Sequence, residues 1–221
     1  MSEEVLIPKM KRVDKTKKKF RIPWLNIAII ILCVLLIIGS TFLNINLKHY
    51  IIPPELFSGE KLSAQDFIFS IFFIPQIPVI MFVCSLLGKK MATVTTMLYI
   101  LTGLFIVPIF ALGGGIQYFG EYGFGYILGY IPAVILAGSF LDNKYSYWNM
   151  IKAAVLGVLT IHFIGILYML IIVLIRKSGM DFALGWIYAQ SGLKIIYDLI
   201  FSFVLILIGK YLHACLKYVL E

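Results

Sequence analysis

The apolar positions of this chain fall in long unbroken runs rather than alternating with polar ones. Five runs read directly as helices: Ile27 to Leu43, Met91 to Ala111, Tyr122 to Leu141, Asn149 to Ile175 and Gly192 to Leu212. A sixth, Phe67 to Leu87, is interrupted by Pro75-Gln76-Ile77-Pro78. Prolines there kink a helix and free backbone carbonyls, which inside a membrane must face protein or a cavity. Runs of about 17–25 residues match the thickness of a bilayer. Continuous runs favour helices over a closed barrel, the other way to span. The expected fold is an all-α integral membrane protein with six transmembrane helices.

The polar breaks divide the chain further. Residues 1–22 form a basic tail, and 23–221 form the six-helix membrane domain. The basic stretch before the first run is too long, and the residues after Gly39-Ser40-Thr41 too unlike a cleavage site, for a signal peptide, so the first helix is read as uncleaved. Residues 44–66 make the longest loop, partly apolar and broken by Pro53-Pro54. It reads equally as a lid or as an interfacial segment held by its aromatics. Arg176 to Gln190 reads as a second long connector. The most unusual break runs from Ala111 to Tyr126, with six glycines and five aromatic residues. Glycine and aromatics together suit a place where backbone comes close to a ligand or a helix at a membrane face.

Composition strengthens the membrane reading. The 221 residues are 61% hydrophobic with a mean hydropathy of +0.98, more apolar surface than a soluble core of this size hides. The net charge of +8 is unevenly placed, since eight of the 19 basic residues precede the first run. That placement is a topogenic signal and a contact for anionic lipid, and no motif supports nucleic-acid binding. With both ends in the cytoplasm, 14 Lys and Arg fall on the inner side and five on the outer. The positive-inside rule supports that orientation and a multi-pass protein of the plasma membrane. It places the glycine-aromatic turn, the 44–66 loop and the 176–190 connector on one outer face, with Gln76, Gln117, Lys194 and Asp198 at a shared depth. The three cysteines read as small buried hydrophobes.

The candidate chemistry is sparse. Asp198 lies about two turns into the last helix, where a carboxylate costs several kcal/mol unless paired or solvated. Lys194, four residues earlier on the same face, is either a structural partner of that acid or a ligand group. His162 is the single ionisable group of the fifth run, and it reads more readily as a helix–helix hydrogen bond than as a ligand. Gln76, between its two prolines, is a candidate cavity residue, or else the interfacial start of a helix. The small residues Gly125, Gly129 and Ala133 form a stripe four apart that packing alone explains. There is no Walker A loop, HExxH, GxSxG or paired His/Cys metal set, so the sequence reads as neither an enzyme nor a cofactor protein.

Several segments, taken in order, resemble one family. They are Ile74-Pro-Gln-Ile-Pro-Val79, Leu87-Gly-Lys-Lys90, Leu98-Tyr-Ile-Leu-Thr-Gly103, Pro108-Ile-Phe-Ala-Leu-Gly-Gly114, Phe124-Gly-Tyr-Ile-Leu-Gly129 and Ala137-Gly138. With His162 to Tyr168 and Asp198-Leu-Ile200, they fall at the spacing of the BioY family, the biotin-binding S components of energy-coupling factor transporters. The resemblance covers about residues 70–205. It implies a six-helix membrane subunit that captures biotin at the outer face. A transmembrane coupling subunit and ATPase subunits would then drive uptake. It implies that the Ala111–Gly115 turn, with Gly113 and Gly114, and Asp198 line the site. Asp198 would accept from the ureido N–H groups. Gln76, Gln117 or backbone N–H groups of the turn would donate to the carbonyl. Tyr118, Tyr168 or Trp186 would cover the ring, and Lys194 would meet the carboxylate. Two positions depart from the family. Phe201 stands where a lysine usually follows the acid by three residues, and Ala28 is followed by Leu32 where small residues four apart are common. The first departure leaves an S component for another small vitamin as an alternative. A membrane scaffold with no small ligand is the alternative from a different class.

Overall fold

The structure, a computed structural model, describes residues 24–53, 57, 63–142 and 146–220, with side chains to Cys215. The basic tail, Pro54, Lys61 and Lys144 lie outside these residues. Five stretches are long and apolar enough to cross a membrane: Trp24–Thr41, Gln76–Phe105, Phe124–Leu141, Tyr147–Arg176 and Met180–Cys215. They hold helices α1 (Trp24–Thr41), α2 (Gln76–Phe105), α3 (Phe124–Leu141), α4 (Tyr147–Arg176), α5 (Met180–Ser191) and α6 (Lys194–Leu220).

The spanning helices bury part of their surface and expose many apolar side chains outward. In α1 the buried positions are Ile30, Cys33, Ile37, Ser40 and Thr41, a helical spacing, while Ile31, Leu32, Leu35 and Leu36 are exposed. An exposed face of that kind is what lipid requires.

The predicted helix from Phe67 to Leu87 is not one helix. Residues 68–73 form a strand, β2 (Ile68–Phe73), paired antiparallel with β1 (Ile45–Tyr50) in the register Ile45 to Phe73 and Tyr50 to Ile68. Phe69, Ile71 and Phe73 turn inward while Ile68, Ser70 and Phe72 are exposed. That alternation is a strand period hidden inside an apolar run. The ribbon also takes up the first part of the predicted 44–66 loop. The helix starts only at Gln76, and it does not run straight to Phe105. Gly88 leaves helical geometry at φ 74° and ψ 168°. Gln76 Nε2 then donates to Tyr99 Oη at 2.6 Å. Twenty-three residues of straight helix would separate them by about 35 Å, so the two halves fold back on one another. The turn at Leu87-Gly-Lys-Lys90 is the hinge of that hairpin.

Helices α3 and α4 pack through glycines. A Cβ on Gly125 would meet Tyr168 Cβ at 2.3 Å, and one on Gly129 would meet the Ile161 backbone at 3.0 Å. The stripe is a close helix–helix seam. The predicted 176–190 connector is mostly helix α5, which rests on α4 through Met169, Val173 and Ala183. Cys33 and Cys84 are buried as expected, but Cys215 is exposed, near the far end of α6.

Polar groups sort to two ends. At one, Lys89 Nζ donates to Ser139 Oγ at 2.8 Å and Lys210 Nζ to the Leu141 carbonyl at 2.5 Å. At the other, Arg176 stands 3.8 Å from Glu121 and over the Tyr122 ring, and the Tyr122 and Ser178 hydroxyls bond at 2.7 Å.

Candidate functional site

The glycine-aromatic turn is built against the end of α2. Phe110 and Gly113 exchange backbone hydrogen bonds at 2.8 and 2.9 Å, and Gly115 N–H reaches the Gly103 carbonyl at 2.9 Å. Gly113 and Gly115 have φ of 116° and 87°. A Cβ on Gly114 would sit 2.5 Å from Pro108 Cα and 2.6 Å from the Gly103 oxygen. These glycines are therefore set by the close return of the chain. Two of the turn's five aromatics, Tyr118 and Phe124, fold inward, while Phe119 is exposed. Phe110, Tyr118 and Phe124 are buried and pack together, Phe110 also against Tyr99, with ring centroids 4.7 Å apart for Phe110 and Tyr118. Burial pushes the Tyr118 phenol above its usual range, so it meets any ligand as a neutral hydroxyl.

The tip of this turn, Ala111 and Leu112, closes a cavity of about 240 Å³. Phe73 and Gln76 bound it on the α2 side, Tyr118, Tyr126 and Tyr130 on the turn and α3, and His162 on α4. Trp186 and Gln190 of α5 and Lys194 and Asp198 of α6 complete the wall. The size lies just under the roughly 300–1,000 Å³ of drug-sized sites. Apolar and aromatic walls with a few convergent polar groups are the usual make-up of a small-molecule site.

Four of the predicted site residues meet here: Gln76, Tyr118, Lys194 and Asp198. Gln117, Tyr168, Gly113 and Gly114 do not line the cavity. Gln117 Nε2 bonds the Gly114 carbonyl at 2.7 Å, and it faces a separate recess beside residues 103–108. The Tyr168 hydroxyl donates to the Phe119 carbonyl. Gly113 and Gly114 shape the turn from behind.

Gln76 is occupied by its own network. Its amide donates to Thr41 Oγ1 at 2.9 Å and to Tyr99, and its carbonyl accepts from Tyr130 Oη at 2.8 Å. It ties α1, α2 and α3 together, and all these groups are buried.

Asp198 is arranged differently. It is 3% exposed, and its Oδ2 lies 3.1 Å from His162 Nε2. Its Oδ1 is buried with no partner among the described residues. His162 Nδ1 in turn lies 2.9 Å from Ser191 Oγ, which lies 2.8 Å from Tyr126 Oη. With a neutral imidazole, an ionised Asp198 requires Nε2 to carry the proton, which leaves Nδ1 to accept from Ser191. The chain then runs donor to acceptor from Tyr126 through Ser191 and His162 to Asp198. Lys194 does not pair directly with this carboxylate; its Nζ donates to Gln190 Oε1 at 3.3 Å. Sequence reasoning weighed His162 as a helix–helix hydrogen bond, which it is. It missed Ser191 and Tyr126, because a serine in a connector and a tyrosine in an apolar helix carry no pattern. Among the described residues no cluster of His, Cys, Asp and Glu has the arrangement of a metal site.

Fold and cavity together define a helical membrane protein with a cavity of about small-molecule size among its helices. The chain belongs to the BioY family, whose profile matches residues 15–218. A relative described as a probable biotin transporter BioY, from Lysinibacillus sphaericus, is 30% identical over 96 residues. The match takes in 42% of this chain and 49% of that protein, so the chain spans about half the length of this relative. In three dimensions the chain resembles the crystal structure of the S-component for biotin from an ECF-type ABC transporter, with a TM-score of 0.61. That likeness covers 86% of this chain and 92% of the other at 20% identity, and it is a likeness of fold.

Proposed function

We propose that the chain is a membrane substrate-binding subunit that captures biotin at the outer face and delivers it to an ATP-driven energy-coupling module. The observation that carries this reading is Asp198, which lines a cavity walled by Trp186, Tyr126 and Tyr118 and whose buried Oδ1 has no partner among the described residues. A ureido ring offers adjacent N–H groups to such an acceptor and a flat face to such walls. Lys194, on the same wall, would meet the ligand's carboxylate. Membership of the BioY family supports the substrate, and the fold neighbour supports the role.

In this reading the chain crosses the plasma membrane six times, the two halves of α2 counting as two crossings, with both termini cytoplasmic. The first half of α2 is about 18 Å long, so it crosses together with the extended residues leading into it. The Lys89 and Lys210 end lies inside and the cavity end outside. Residues 1–22 act as a basic cytoplasmic tail.

Equilibrium binding of labelled biotin to the purified protein tests the substrate. Saturable binding below micromolar is expected, and its absence would sink the reading. Co-purification of coupling and ATPase subunits with the solubilised protein tests the partnership. The second reading, another small vitamin, is favoured by Phe201, which replaces the usual lysine and stacks on Tyr197 at 6.4 Å. Competition by unlabelled vitamins of similar size separates the two.

A further inference from the structure

We infer that His162 is a positioning residue that couples the ligand-facing carboxylate of Asp198 to the seating of α5, and that α5 in turn presents Trp186 Nε1–H to the same ligand. The inference deepens the proposed biotin site and rests on that reading for its ligand.

His162 uses both ring nitrogens on different helices. Nε2 holds Asp198 Oδ2 on α6 at 3.1 Å, and Nδ1 holds Ser191, the last residue of α5, at 2.9 Å. The ring is 2% exposed, so neither bond has water as an easy substitute. With one oxygen of Asp198 engaged by the ring, the other is the one left without a partner among the described residues, on a side chain that lines the cavity. The imidazole therefore decides which oxygen meets the ligand and how it is aimed.

The other end of the link is a weakly held helix. Of the 12 residues of α5, only Ala183 and Ser191 are buried. Ala183 rests in a small apolar cluster on α4, and Ser191 is bonded into the bundle by His162 and Tyr126. Between these two anchors lies Trp186, which lines the cavity. Its Nε1 is buried and has no hydrogen-bond partner among the described residues. Gln76, Tyr126, Tyr130 and His162 all have protein partners, whereas Trp186 Nε1–H and Asp198 Oδ1 are an unfilled donor and an unfilled acceptor on one cavity. Buried polar groups are rarely left so without a purpose. A ligand edge carrying N–H beside C=O, as a cyclic urea does, satisfies both. One imidazole links the elements that bear them.

The test combines binding with a measurement that needs no ligand. His162→Phe removes both bonds, while His162→Gln keeps a donor for Asp198 and an acceptor for Ser191. Biotin affinity should fall roughly tenfold or more in the first and recover substantially in the second. Ser191→Ala should lower affinity roughly three- to tenfold. It should cost little further once Trp186→Phe is present, because it acts by seating Trp186. In ligand-free protein, backbone hydrogen exchange over 180–191 should quicken in both His162→Phe and Ser191→Ala, with α4 unchanged. Additive effects of Ser191→Ala and Trp186→Phe, or unaltered exchange in α5, overturn the coupling. If the wild type binds no biotin, the substrate reading falls, and exchange alone decides whether His162 seats α5.

Discussion

An Asp198→Asn substitution removes the charge and keeps the shape, and the site dictates which way the new amide must face. In the native arrangement His162 Nε2–H donates to Oδ2 at 3.1 Å, and Oδ1 is left without a partner among the described residues, on a side chain that lines the cavity. Asparagine has one acceptor in place of two. If its carbonyl stays on His162, its NH₂ points where the free oxygen was. A ligand N–H then meets a donor instead of an acceptor. If the amide flips, its NH₂ meets Nε2–H unless the ring moves its proton to Nδ1. Ser191 must then accept from the ring and donate on to Tyr126. The first orientation preserves every internal bond and is the expected one. Leaving a buried ligand N–H without an acceptor costs about 1–3 kcal/mol, which is roughly 5- to 150-fold in Kd. Stability should change little, because the His162 bond survives. Titration calorimetry with biotin in detergent gives the affinity, and thermal unfolding followed by circular dichroism gives the stability. Native affinity in the variant would refute the assignment of Oδ1 to the ligand. A loss of affinity that merely tracks a loss of fold would refute it equally, and would favour a scaffold role.

Three further outcomes follow from the packing. Gln76→Leu leaves the Tyr130 hydroxyl and the Tyr99–Thr41 pair short of a partner, so unfolding should cost about 2–4 kcal/mol less, read as a lower midpoint in thermal unfolding. Gly114→Ala puts a methyl within 2.6 Å of backbone at both Pro108 and Gly103, which cannot yield as a side chain could. Biotin affinity should drop with Ala111 and Leu112 displaced, while Gly120→Ala, which would meet only the Arg176 side chain, should bind as the native protein does. Lys194→Met should weaken biotin roughly three- to tenfold and leave a neutral biotin amide unaffected, and adding Phe201→Lys should not restore the difference.

The helices were legible because membrane spans announce themselves by length. The boundaries of α3 and α4 fall within two residues of the sequence expectation. The ribbon was not legible, because Ile68 to Phe73 is apolar on both faces and sits at the head of a longer apolar run. Only burial separates its period of two from a helix. Helix α5 was also missed: its 12 residues lie between two polar breaks, and its small glycine-containing sequence reads as a connector. For the site, Asp198 stood out because a carboxylate in an apolar run needs a reason. Tyr126, Tyr130 and Ser191 did not, since hydroxyls are cheap to place in helices and their partners lie 29 to 65 residues away. Gln117 and the glycines drew attention by composition, and composition could not tell a residue that lines a cavity from one that shapes the wall behind it.

Helix geometry also sets which side chains flank Asp198 on α6. Positions 194, 198 and 201 are four and three residues apart, so all three lie on one face of α6. A cation at either flank of Asp198 would share its wall. Here the later position holds Phe201, which packs on Phe73 of the ribbon at 5.4 Å and on Tyr197. Tyr197 is in turn bonded to His49 of the ribbon. The earlier position holds Lys194, which lines the cavity and donates to Gln190. The two positions are about 10 Å apart along the axis. An anionic tail drawn to Lys194 would therefore leave the acid in the direction of the α6 N-terminus, toward α5 and Gln190, and not along the helix toward Phe201. A cation stands on one flank of the acid and an aromatic on the other, and the acid between them is bonded to His162.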